Sequence, residues 1–523
     1  MLVAIVGNGP VGQTTALLLA RWGVPSVLLD GRPERDPIGS KAICQQRDVL
    51  DVWASVGAGR IAAEGLTWTT ARTFYRDTEL FSYQLLDPGR SPLPPFVNIS
   101  QARTEEILDE CIAAEPLIDV RWSHTVTGIE QDTNGVELRC DTPGGPVAIP
   151  APYAVVCAGA RCDALREGLG VGFDGASFDD RFLICDIRAD LPGWANERRF
   201  YFDPEWNPGR QILIHPCPDS TFRIDWQVPG DYDLAAEEAS GALDRRIRAV
   251  IGDRPYEIGW NSVYRFHSRV ADRMRVGRVL LAGDCAHVMA PFGARGLNSG
   301  VGDAENAAWK LAFVLNGWAR ETLLETYHTE RHAAALENLD VTTATMNFLV
   351  PHDDEQRRIR LDTLERAAHD PRARAAVDSG RLAEPFWYVD SPLTTPDPSR
   401  PFAERPERGA VPPAAPGVLL PDLPVVDDGR PRRLRELARD GFLLLASHGV
   451  DITTARSAAA SATGAAVRAE VMSTLDPTGT LTATLAARLG ELWLVRPDAH
   501  IAAVLPDSAA AGVAAAIKQV CGH

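Results

Sequence analysis

An acidic residue just past a buried strand, with a helix starting shortly after it, is the strongest sign of chemistry in this chain of 523 residues. The largely apolar run at 278–282 predicts a strand, and Asp284 lies just beyond its end. A Pro- and Gly-rich turn at 290–296 then leads into a helix that we expect to begin at Leu297 and Asn298. The carboxylate can accept hydrogen bonds from sugar or ribityl hydroxyls, and the free amides of the helix can hold an anion.

A second candidate site lies near residue 1 and has the pattern of a dinucleotide-binding turn. A short apolar strand at 2–6 is followed by Gly7, Gly9 and Gly12 in G-x-G-x-x-G spacing, then by an apolar helix and a second strand that ends in Asp30. Glycines at this spacing permit a tight turn and a close approach of a pyrophosphate to the backbone. The acid at the end of the second strand is placed to hold the ribose of an adenosine.

Together, the two segments resemble the class A flavin-dependent aromatic monooxygenases, the superfamily of para-hydroxybenzoate hydroxylase. The closer resemblance is to the branch of 3-(3-hydroxyphenyl)propionate, phenol and aromatic polyketide hydroxylases. It rests on GNGPVG at 7–12, GDCAH at 283–287, PFGARGLNSG at 291–300 and DAENAAWKLA at 303–312. It covers residues 1–350, more weakly beyond, and implies FAD as cofactor with NADPH or NADH as co-substrate.

The resemblance also implies which residues of this chain contact FAD. Asp30 would hold the adenosine ribose, Gly9 and Gly12 the pyrophosphate, and Asp284 the ribityl chain. The helix amides at 296–298 would face the pyrimidine edge of the flavin, where negative charge collects on reduction. The full set of predicted cofactor-binding residues is Gly7, Gly9, Pro10, Val11, Gly12, Asp30, Arg32, Lys41, Gln101, Arg103, Val126, Ala158, Gly159, Gly283, Asp284, Pro291, Gly293, Gly296, Leu297 and Asn298.

The chain departs from the family pattern in three places. Ala158 precedes Gly159 where members carry an acid that helps to hold FAD and the pyridine nucleotide, and Asp163 is the nearby residue that could substitute. Asp30 replaces the more usual Glu. Lys41 stands where Arg is common, which keeps the charge but loses the forked geometry.

Between the two motifs, residues 176–269 predict a β-sheet that binds the substrate. The alternation is sharpest at 222–228, where one face is apolar and the other carries Arg223 and Asp225. Such a sheet could form the floor of an aromatic pocket, or it could simply present its polar face to solvent. His215, Arg223 and Asp225 are the candidate catalytic residues, since a phenolic substrate reacts more readily when a buried base removes its proton.

The fold class expected from these patterns is α/β. A Rossmann-like FAD-binding domain would comprise residues 1–175 and 270–350, with the substrate-binding sheet at 176–269 inserted. Residues 351–415, charged and then Pro-rich, predict a connector. Residues 416–523 resemble a C-terminal thioredoxin-like α/β domain without the redox CxxC pair, and are expected to pack or dimerise rather than to carry out chemistry.

Composition favours a globular cytoplasmic protein. The net charge of −17 argues against nucleic acid or an anionic membrane as partner. No signal peptide, transmembrane run or metal site is expected. The nine cysteines form no CxxC, which favours free thiols, and Cys285 is expected to be a small packing residue. The expected partners are a small aromatic substrate, O2 and NAD(P)H, with a homodimer possible.

The expected function is hydroxylation of a phenolic or polycyclic aromatic ring, which the resemblance assigns to a C4a-hydroperoxide of the flavin. Three alternatives stay open. One is Baeyer–Villiger oxygen insertion on a polycyclic ketone. Another is an FAD-dependent dehydrogenase or halogenase, although residues 194–206 lack the WxWxIP string of halogenases. The third is a flavin-binding partner without turnover, because Ala158 breaks one family motif.

Overall fold

A computed structural model describes residues 2–37, 39, 41–85, 91–377, 380, 382, 384–402, 405–406, 411–506 and 509–523. The strands are β1 (Val3–Val6), β2 (Ser26–Leu29), β3 (Cys44–Gln46), β4 (Thr70–Tyr75), β5 (Thr78–Gln84), β6 (Phe96–Asn98), β7 (Ile118–Arg121), β8 (Thr125–Gln131), β9 (Val136–Thr142), β10 (Gly145–Ala151), β11 (Ala154–Val156), β12 (Phe173–Ala189), β13 (Glu197–Phe202), β14 (Gln211–Cys217), β15 (Thr221–Val228), β16 (Tyr256–Ala271), β17 (Arg275–Val276), β18 (Val279–Leu281), β19 (His287–Val288), β20 (Pro424–Asp427), β21 (Arg430–Arg433), β22 (Phe442–Ala446), β23 (Val467–Val471), β24 (Leu492–Val495) and β25 (Ile501–Leu505). The helices are α1 (Pro10–Arg21), α2 (Arg47–Ser55), α3 (Arg60–Glu64), α4 (Gln101–Ala113), α5 (Asp163–Gly168), α6 (Leu234–Ala239), α7 (Ala242–Ile251), α8 (Arg295–Leu315), α9 (Glu325–Leu349), α10 (Asp354–His369), α11 (Leu434–Ala438), α12 (Ile452–Ala462), α13 (Met472–Leu475), α14 (Thr480–Thr484) and α15 (Ala510–Val520).

A six-stranded sheet in the order β17-β18-β11-β1-β2-β7 places the two sequence motifs side by side. Strands β18, β11, β1, β2 and β7 run parallel, and β17 pairs antiparallel with β18. The parallel strands are continuous apolar runs because helices cover the sheet, and β1 and β18 are buried throughout. Their carboxyl ends meet at one edge, so the segments that follow β1, β2, β11 and β18 converge there.

An eight-stranded mixed sheet in the order β19-β16-β12-β15-β14-β13-β4-β5 forms the second layer. It contains the region predicted to bind the substrate, and it also includes β4 and β5, which the sequence analysis left in the cofactor-binding segment. Strand β13 pairs parallel with β4, so the polypeptide reaches this sheet before it reaches the predicted insertion. The apolar face of the sheet, including Ile224 and Trp226, packs against Ile247 of α7.

Residues 351–415 are not only a connector, because they begin with the 16-residue helix α10. Asp353 caps this helix by accepting a hydrogen bond from the amide of Gln356. Leu364 and Ala367 are buried in the aromatic core beneath the eight-stranded sheet. Sequence analysis missed the helix because charged residues dominate it and only two of its residues are buried.

The C-terminal residues form a four-stranded sheet in the order β23-β22-β24-β25. Strand β22 is parallel to β23 and antiparallel to β24, and β24 is antiparallel to β25. With α12 between β22 and β23, and α15 after β25, this is a β-α-β unit followed by a β-β-α unit. The thioredoxin-like prediction is confirmed, and so is the α/β fold class. No helix of the described residues is long and apolar enough to span a bilayer.

Candidate active site

A cavity of about 520 Å³ lies between the carboxyl edge of the six-stranded sheet and the polar face of the eight-stranded sheet. Most of the predicted site residues line it, although they come from segments far apart in the chain. The predicted residues that line it are Gly7, Gly9, Pro10, Val11, Asp30, Arg32, Lys41, Gln101, Ala158, Gly159, His215, Arg223, Asp225, Asp284, Pro291, Gly293, Gly296 and Leu297. Sequence reasoning thus located both halves of one continuous cavity.

Glycines at the end of β1 leave room for a ligand at the backbone. A Cβ on Gly12 would lie 1.9 Å from the carbonyl oxygen of Gly7, and one on Gly7 would lie 2.4 Å from the carbonyl oxygen of Cys157. Gly9 lines the cavity, and a Cβ there would meet no atom within 4 Å. The turn is therefore packed tightly against the protein on one side and open on the other, which fits a pyrophosphate at the N-terminus of α1.

Asp30 is held in place at the end of β2. One carboxylate oxygen accepts a hydrogen bond from the amide of Asn8 at 2.9 Å, and the other from the amide of Arg32 at 2.9 Å. The Arg32 guanidinium also contacts this carboxylate. Burial alone would raise the pKa of Asp30, but the hydrogen bonds from Arg32 and Asn8 lower it below its usual value. An ionised, oriented carboxylate at this point suits a ribose hydroxyl.

Asp284 projects into the cavity from a 3₁₀ turn, Gly283–Cys285, directly after β18. Protein surrounds the side chain, yet solvent reaches it through the cavity. This enclosed position raises its pKa, while His287 and Lys41 act to lower it. Such a carboxyl group is poised to accept hydrogen bonds from hydroxyls that replace water.

Asp303 holds the turn that carries Asp284, a role the sequence analysis missed. One of its carboxylate oxygens accepts hydrogen bonds from the Gly283 amide at 2.9 Å and from His287 Nε2 at 2.7 Å. The other accepts from Arg331 Nε at 2.7 Å. Burial opposes ionisation, but His287 and Arg331 lower the pKa of Asp303 overall. The aspartate that opens the DAENAAWKLA motif was the available signal.

Helix α8 begins at Arg295, two residues before the predicted start, and its first turn faces the cavity through Gly296 and Leu297. Asn298 does not line the cavity. Its Nδ2 donates to the Cys44 carbonyl oxygen at 2.9 Å and its Oδ1 accepts from the Gln46 amide at 2.9 Å, so it fastens α8 to β3. The asparagine therefore positions the helix start, and its side chain is not a wall of the cavity.

Two further predicted cofactor contacts, Arg103 and Val126, lie off the cavity, and Gly12 does not line it either. The Arg103 guanidinium pairs with Glu64 at 2.7 Å and Glu106 at 2.8 Å on the outer side of α4, because its side chain projects away from the sheet edge. Val126 lies on β8 and packs against the apolar core. Its segment adjoins the ribose end through the backbone, where the His124 amide donates to the Asp30 carbonyl oxygen.

Gly283 also stands behind the cavity wall. Its backbone has φ +64°, and a Cβ there would lie 3.0 Å from Val11.

The acid missing at Ala158 is not replaced by Asp163, whose side chain is 77% exposed and pairs with Arg166. Ala158 and Gly159 line the cavity without a carboxylate of their own.

The polar face of the eight-stranded sheet lines the cavity and does not face bulk solvent. Asp225 Oδ1 and His215 Nδ1 are buried atoms without a hydrogen-bond partner among the described residues. Burial raises the pKa of Asp225 to about 7, with Arg223 opposing the shift. Burial also lowers the pKa of His215 well below its usual range, with help from the charges of Arg198 and Arg223. Both groups therefore have an atom that can form a hydrogen bond with a ligand in the cavity.

Arg223 has a different role from the one predicted. Its guanidinium forms a bidentate pair with Asp186, with both N–O distances at 2.8 Å. It also donates to the Lys41 carbonyl oxygen at 3.1 Å. A guanidinium held charged in this way cannot act as a base. Arg223 instead positions the floor of the cavity and supplies fixed positive charge beside Asp225.

Aromatic rings form the rest of this half of the cavity. Phe182 stacks on Phe266 with ring centroids 4.5 Å apart, and Phe292 meets Phe182 edge-on at 5.6 Å. Trp68, with Nε1 buried and without a partner among the described residues, and Leu213 complete the wall. Flat apolar surfaces with a few convergent polar atoms suit an aromatic ligand that carries oxygen substituents.

Comparison with known proteins agrees with this geometry. The FAD binding domain family matches residues 1–342, and the family described as aromatic-ring hydroxylase, C-terminal, matches residues 413–523. A 3-(3-hydroxy-phenyl)propionate/3-hydroxycinnamic acid hydroxylase of Mycobacterium sp. (strain JLS) is 30% identical over 370 residues, which are 70% of this chain and 63% of that protein. A flavin-dependent monooxygenase of Mycobacteroides abscessus is 32% identical over 367 residues, covering 66% of this chain and 74% of that protein.

Among solved structures, the flavin-dependent monooxygenase PieE in complex with FAD and substrate has a TM-score of 0.85 at 24% identity. The likeness covers 100% of this chain and 99% of that one, so the two share a fold from end to end. The family match takes in well over half of the chain, and the cavity carries the open glycine turn and the two carboxylates that FAD requires. The chain belongs to the FAD binding domain family and also carries a C-terminal domain of the family described as aromatic-ring hydroxylase, C-terminal.

Proposed function

We propose that the protein is a monooxygenase that uses FAD, NADPH or NADH, and O2 to hydroxylate a phenolic or polycyclic aromatic substrate. The observation that carries this proposal is the cavity that joins the glycine turn of β1 to an aromatic chamber, where Asp225 Oδ1 is buried without a hydrogen-bond partner among the described residues. Bound FAD, once reduced by the pyridine nucleotide, would supply the activated oxygen.

The chain's own residues would bind and orient the substrate ring. Phe182, Phe266 and Phe292 offer faces and edges to an aromatic ligand, and Leu213 excludes water on the sheet side. An enclosed apolar chamber protects an activated oxygen from reaction with water. Orientation and exclusion of water are the contributions that this part of the cavity can make.

Asp225 would accept the proton of the substrate hydroxyl. A base is most effective when its pKa lies near the working pH, and the pKa of Asp225 is about 7. His215 is neutral at that pH, because its pKa is lowered by burial, so its ring can share a hydrogen bond with the same substrate oxygen without a competing charge. Removing the proton makes the phenolic ring more electron-rich.

The test is substrate-stimulated oxidation of NADPH or NADH with O2 uptake and product mass, measured with a panel of phenols and polycyclic ketones. For the wild type, kcat/KM should rise as pH increases through about 7, since the Asp225 carboxyl loses its proton there. Asp225→Asn should lower kcat on a phenol by about 100-fold or more and abolish that rise. Asp179→Asn is the matched control, because its side chain is 90% exposed on the same sheet.

Three outcomes would count against parts of the proposal. A protein that binds FAD but shows no stimulated oxidation with any phenol or ketone would be a flavin-binding partner. Oxygen insertion into ketones alone would replace hydroxylation by Baeyer–Villiger chemistry. An unchanged pH profile in Asp225→Asn would remove Asp225 from the proton transfer.

All nine cysteines are free thiols, which supports the further proposal that the protein works in the reducing cytoplasm. A homodimer remains a prediction, to be tested by light scattering of the purified protein.

A further inference from the structure

Two buried cysteines lie against each other directly behind the cofactor cavity. Cys162 Sγ and Cys285 Sγ are 2.6 Å apart, although the residues are 123 positions apart in the chain. Cys162 follows β11 and Cys285 follows β18, and these two strands are neighbours in the parallel sheet. The two side chains are only 4% and 0% exposed. The fold thus brings two thiols together at the edge of the sheet where the cavity lies.

Arg166 makes the two thiols of this pair chemically different. Its Nη1 donates a hydrogen bond to Cys162 Sγ at 2.8 Å and another to the Cys285 carbonyl oxygen at 3.1 Å. The pKa of Cys162 is lowered by the hydrogen bond with Cys285 and by the Arg166 charge. The pKa of Cys285 is raised by the same hydrogen bond and by burial. One sulfur is therefore favoured as thiolate and the other as thiol, which is the arrangement of an attacking and a resolving cysteine.

We propose that Cys162 and Cys285 form a redox-sensitive dithiol that a hydroperoxide oxidises to a disulfide. The Cys162 thiol first loses its proton to solvent, and the thiolate attacks one oxygen of hydrogen peroxide. The O–O bond breaks, Cys162 becomes a sulfenic acid, and the other oxygen leaves as hydroxide, which takes up a proton from solvent to become water. Cys285 then attacks the Cys162 sulfur, its proton goes to the departing hydroxyl, and a second water leaves as the S–S bond forms. Two thiols are oxidised, and one peroxide is reduced to two waters.

The position of the pair connects its redox state to the cofactor cavity. Cys285 follows Asp284 directly, and Cys162 lies three residues after Gly159, so a bond between them would join two segments that line the cavity. The inference goes beyond the proposed function and does not depend on it, because peroxide can be added to a protein that has no turnover.

The experiment treats the FAD-loaded protein with hydrogen peroxide, denatures it in N-ethylmaleimide and maps its peptides by mass spectrometry. We expect two of the nine thiols to escape alkylation, with a cross-linked peptide pair containing Cys162 and Cys285 that is lighter by two hydrogen atoms than the reduced pair. Dithiothreitol should restore both thiols. Cys111→Ser is the matched control, since Cys111 is more exposed but has no thiol neighbour and its loss should leave the cross-link intact.

Two variants separate the steps of the reaction. Cys285→Ser should trap the sulfenic acid at Cys162, detectable as a dimedone adduct on that peptide, and Cys162→Ser should give neither adduct nor cross-link at position 285. A wild-type protein in which Cys162 and Cys285 both stay alkylatable at peroxide concentrations that oxidise Cys111 would overturn the proposal. So would a cross-link that pairs either cysteine with a different partner.

Discussion

At the scale of single residues, three aspartates near the cavity show how environment separates their roles. Within the described part of the chain, Asp225 Oδ1 has no hydrogen-bond partner, and burial raises the pKa of this carboxyl to about 7. Asp303 is more deeply enclosed, but three donors hold it ionised. Burial also raises the pKa of Asp284, and the side chain of this residue faces the cavity. The same side chain is therefore suited to proton transfer, to structural support and to hydroxyl binding.

Replacing Asp284 should release FAD. A hydrogen bond to a charged group contributes about 1.5–3 kcal/mol, so Asp284→Ala should weaken FAD binding by roughly 10- to 100-fold. Asp163→Ala is the control, because its side chain is 77% exposed and points at Arg166. The measurement is the flavin absorbance that stays with the protein after gel filtration. Equal retention by wild type and Asp284→Ala would mean that Asp284 does not touch the cofactor.

The raised pKa of Asp225 also predicts a pH-dependent cost in stability. In the unfolded chain this carboxyl loses its proton near its usual pKa of 3.8, whereas in the folded protein it keeps the proton up to about pH 7. The folded state therefore binds more protons between these values, and wild-type stability falls as pH rises through them. Asp225→Asn removes this term. Its melting temperature should exceed that of the wild type at about pH 8, and the difference should shrink toward about pH 4. A difference independent of pH would contradict the shifted pKa.

At the scale of elements, the sequence predicted the strands, turns and helices that local residue patterns mark. It did not predict strand pairing between segments that are far apart in the chain. Strands β1, β2 and β18, the glycine turn and α8 are marked by apolar runs and turn residues and were recognised, whereas the parallel strand β7 was not predicted. The joining of β4 and β5 to the substrate sheet was not predictable, because β13 selects β4 as its partner across more than a hundred residues. Helix α10 was missed because its apolar face is so narrow.

The same limit applied to the candidate site. The residues Asp30, Asp284 and Gly9 follow strands in sequence, so their convergence could be inferred from the topology of parallel sheets. Whether Arg223 would be free or paired could not, because Asp186 meets it only through the register of β12 and β15. Arg103 was misplaced for a similar reason, since only the orientation of α4 decides which of its faces meets the cavity.

Close packing of α1 against the start of α8 depends on a glycine that lies outside the cavity wall. A Cβ on Gly300 would lie 2.7 Å from Val11 and 3.2 Å from the Cα of Gly283. Gly300→Ala should therefore push α8 away from both cofactor turns, with a loss of about 1–3 kcal/mol in the free energy of unfolding and weaker FAD retention. Denaturant titration and flavin retention measure the two effects.

Gly168→Ala is the matched control for this prediction. Gly168 is the last residue of helix α5, and a Cβ there would meet no atom within 4 Å. Its substitution should leave stability unchanged or slightly improved, because alanine loses less chain entropy in a helix. If the two variants behaved alike, the contact between the helices would not be as close as the structure has it.

At the scale of the whole molecule, a buried ionic network joins the thioredoxin-like domain to the cofactor-binding domain. Arg496, in the turn between β24 and β25, donates to Glu330 of α9 at 2.6 Å and to Asp498 at 2.6 Å. Lys310 of α8 donates to the same glutamate at 2.6 Å. Trp309 Nε1 donates to Asp498 at 3.2 Å. The turn at 496–498 supplies charges that hold this domain against α8 and α9.

The thioredoxin-like domain is therefore expected to be structural, and its thiol chemistry can be tested separately. It contains one cysteine, Cys521, whose pKa burial raises to about 11. Cys521→Ser should leave NADPH-dependent turnover unchanged within error, because a single buried thiol cannot form a disulfide within the domain. A large loss of turnover with intact folding and FAD content would assign this domain a part in the chemistry.

Neutralising the centre of the interdomain network should destabilise the protein far more than removing a surface pair. Glu330→Gln leaves Arg496 and Lys310 as buried cations with one carboxylate fewer, and breaking a buried ion pair in this way costs about 3–5 kcal/mol. Denaturant titration followed by tryptophan fluorescence is a direct measurement, since Trp309 and Trp493 are buried on the two sides. Asp354→Asn, which removes an exposed pair with Arg357, is the control and should change nothing measurable.

The double variant Glu330→Gln/Arg496→Met distinguishes a network of charges from simple packing. If uncompensated charge is the cause of the loss, removing both partners should cost clearly less than the sum of the two single variants. The pKa of Glu330 gives a second test. Burial acts to raise this pKa, but the charges of Arg496 and Lys310 lower it below its usual value. Wild-type stability should fall as pH drops below about 4.5, because there the unfolded chain takes up a proton at Glu330 that the folded protein does not, and this part of the acid loss should be absent in Glu330→Gln. Additive costs and identical acid profiles would show that the domains are held together by their apolar contacts alone.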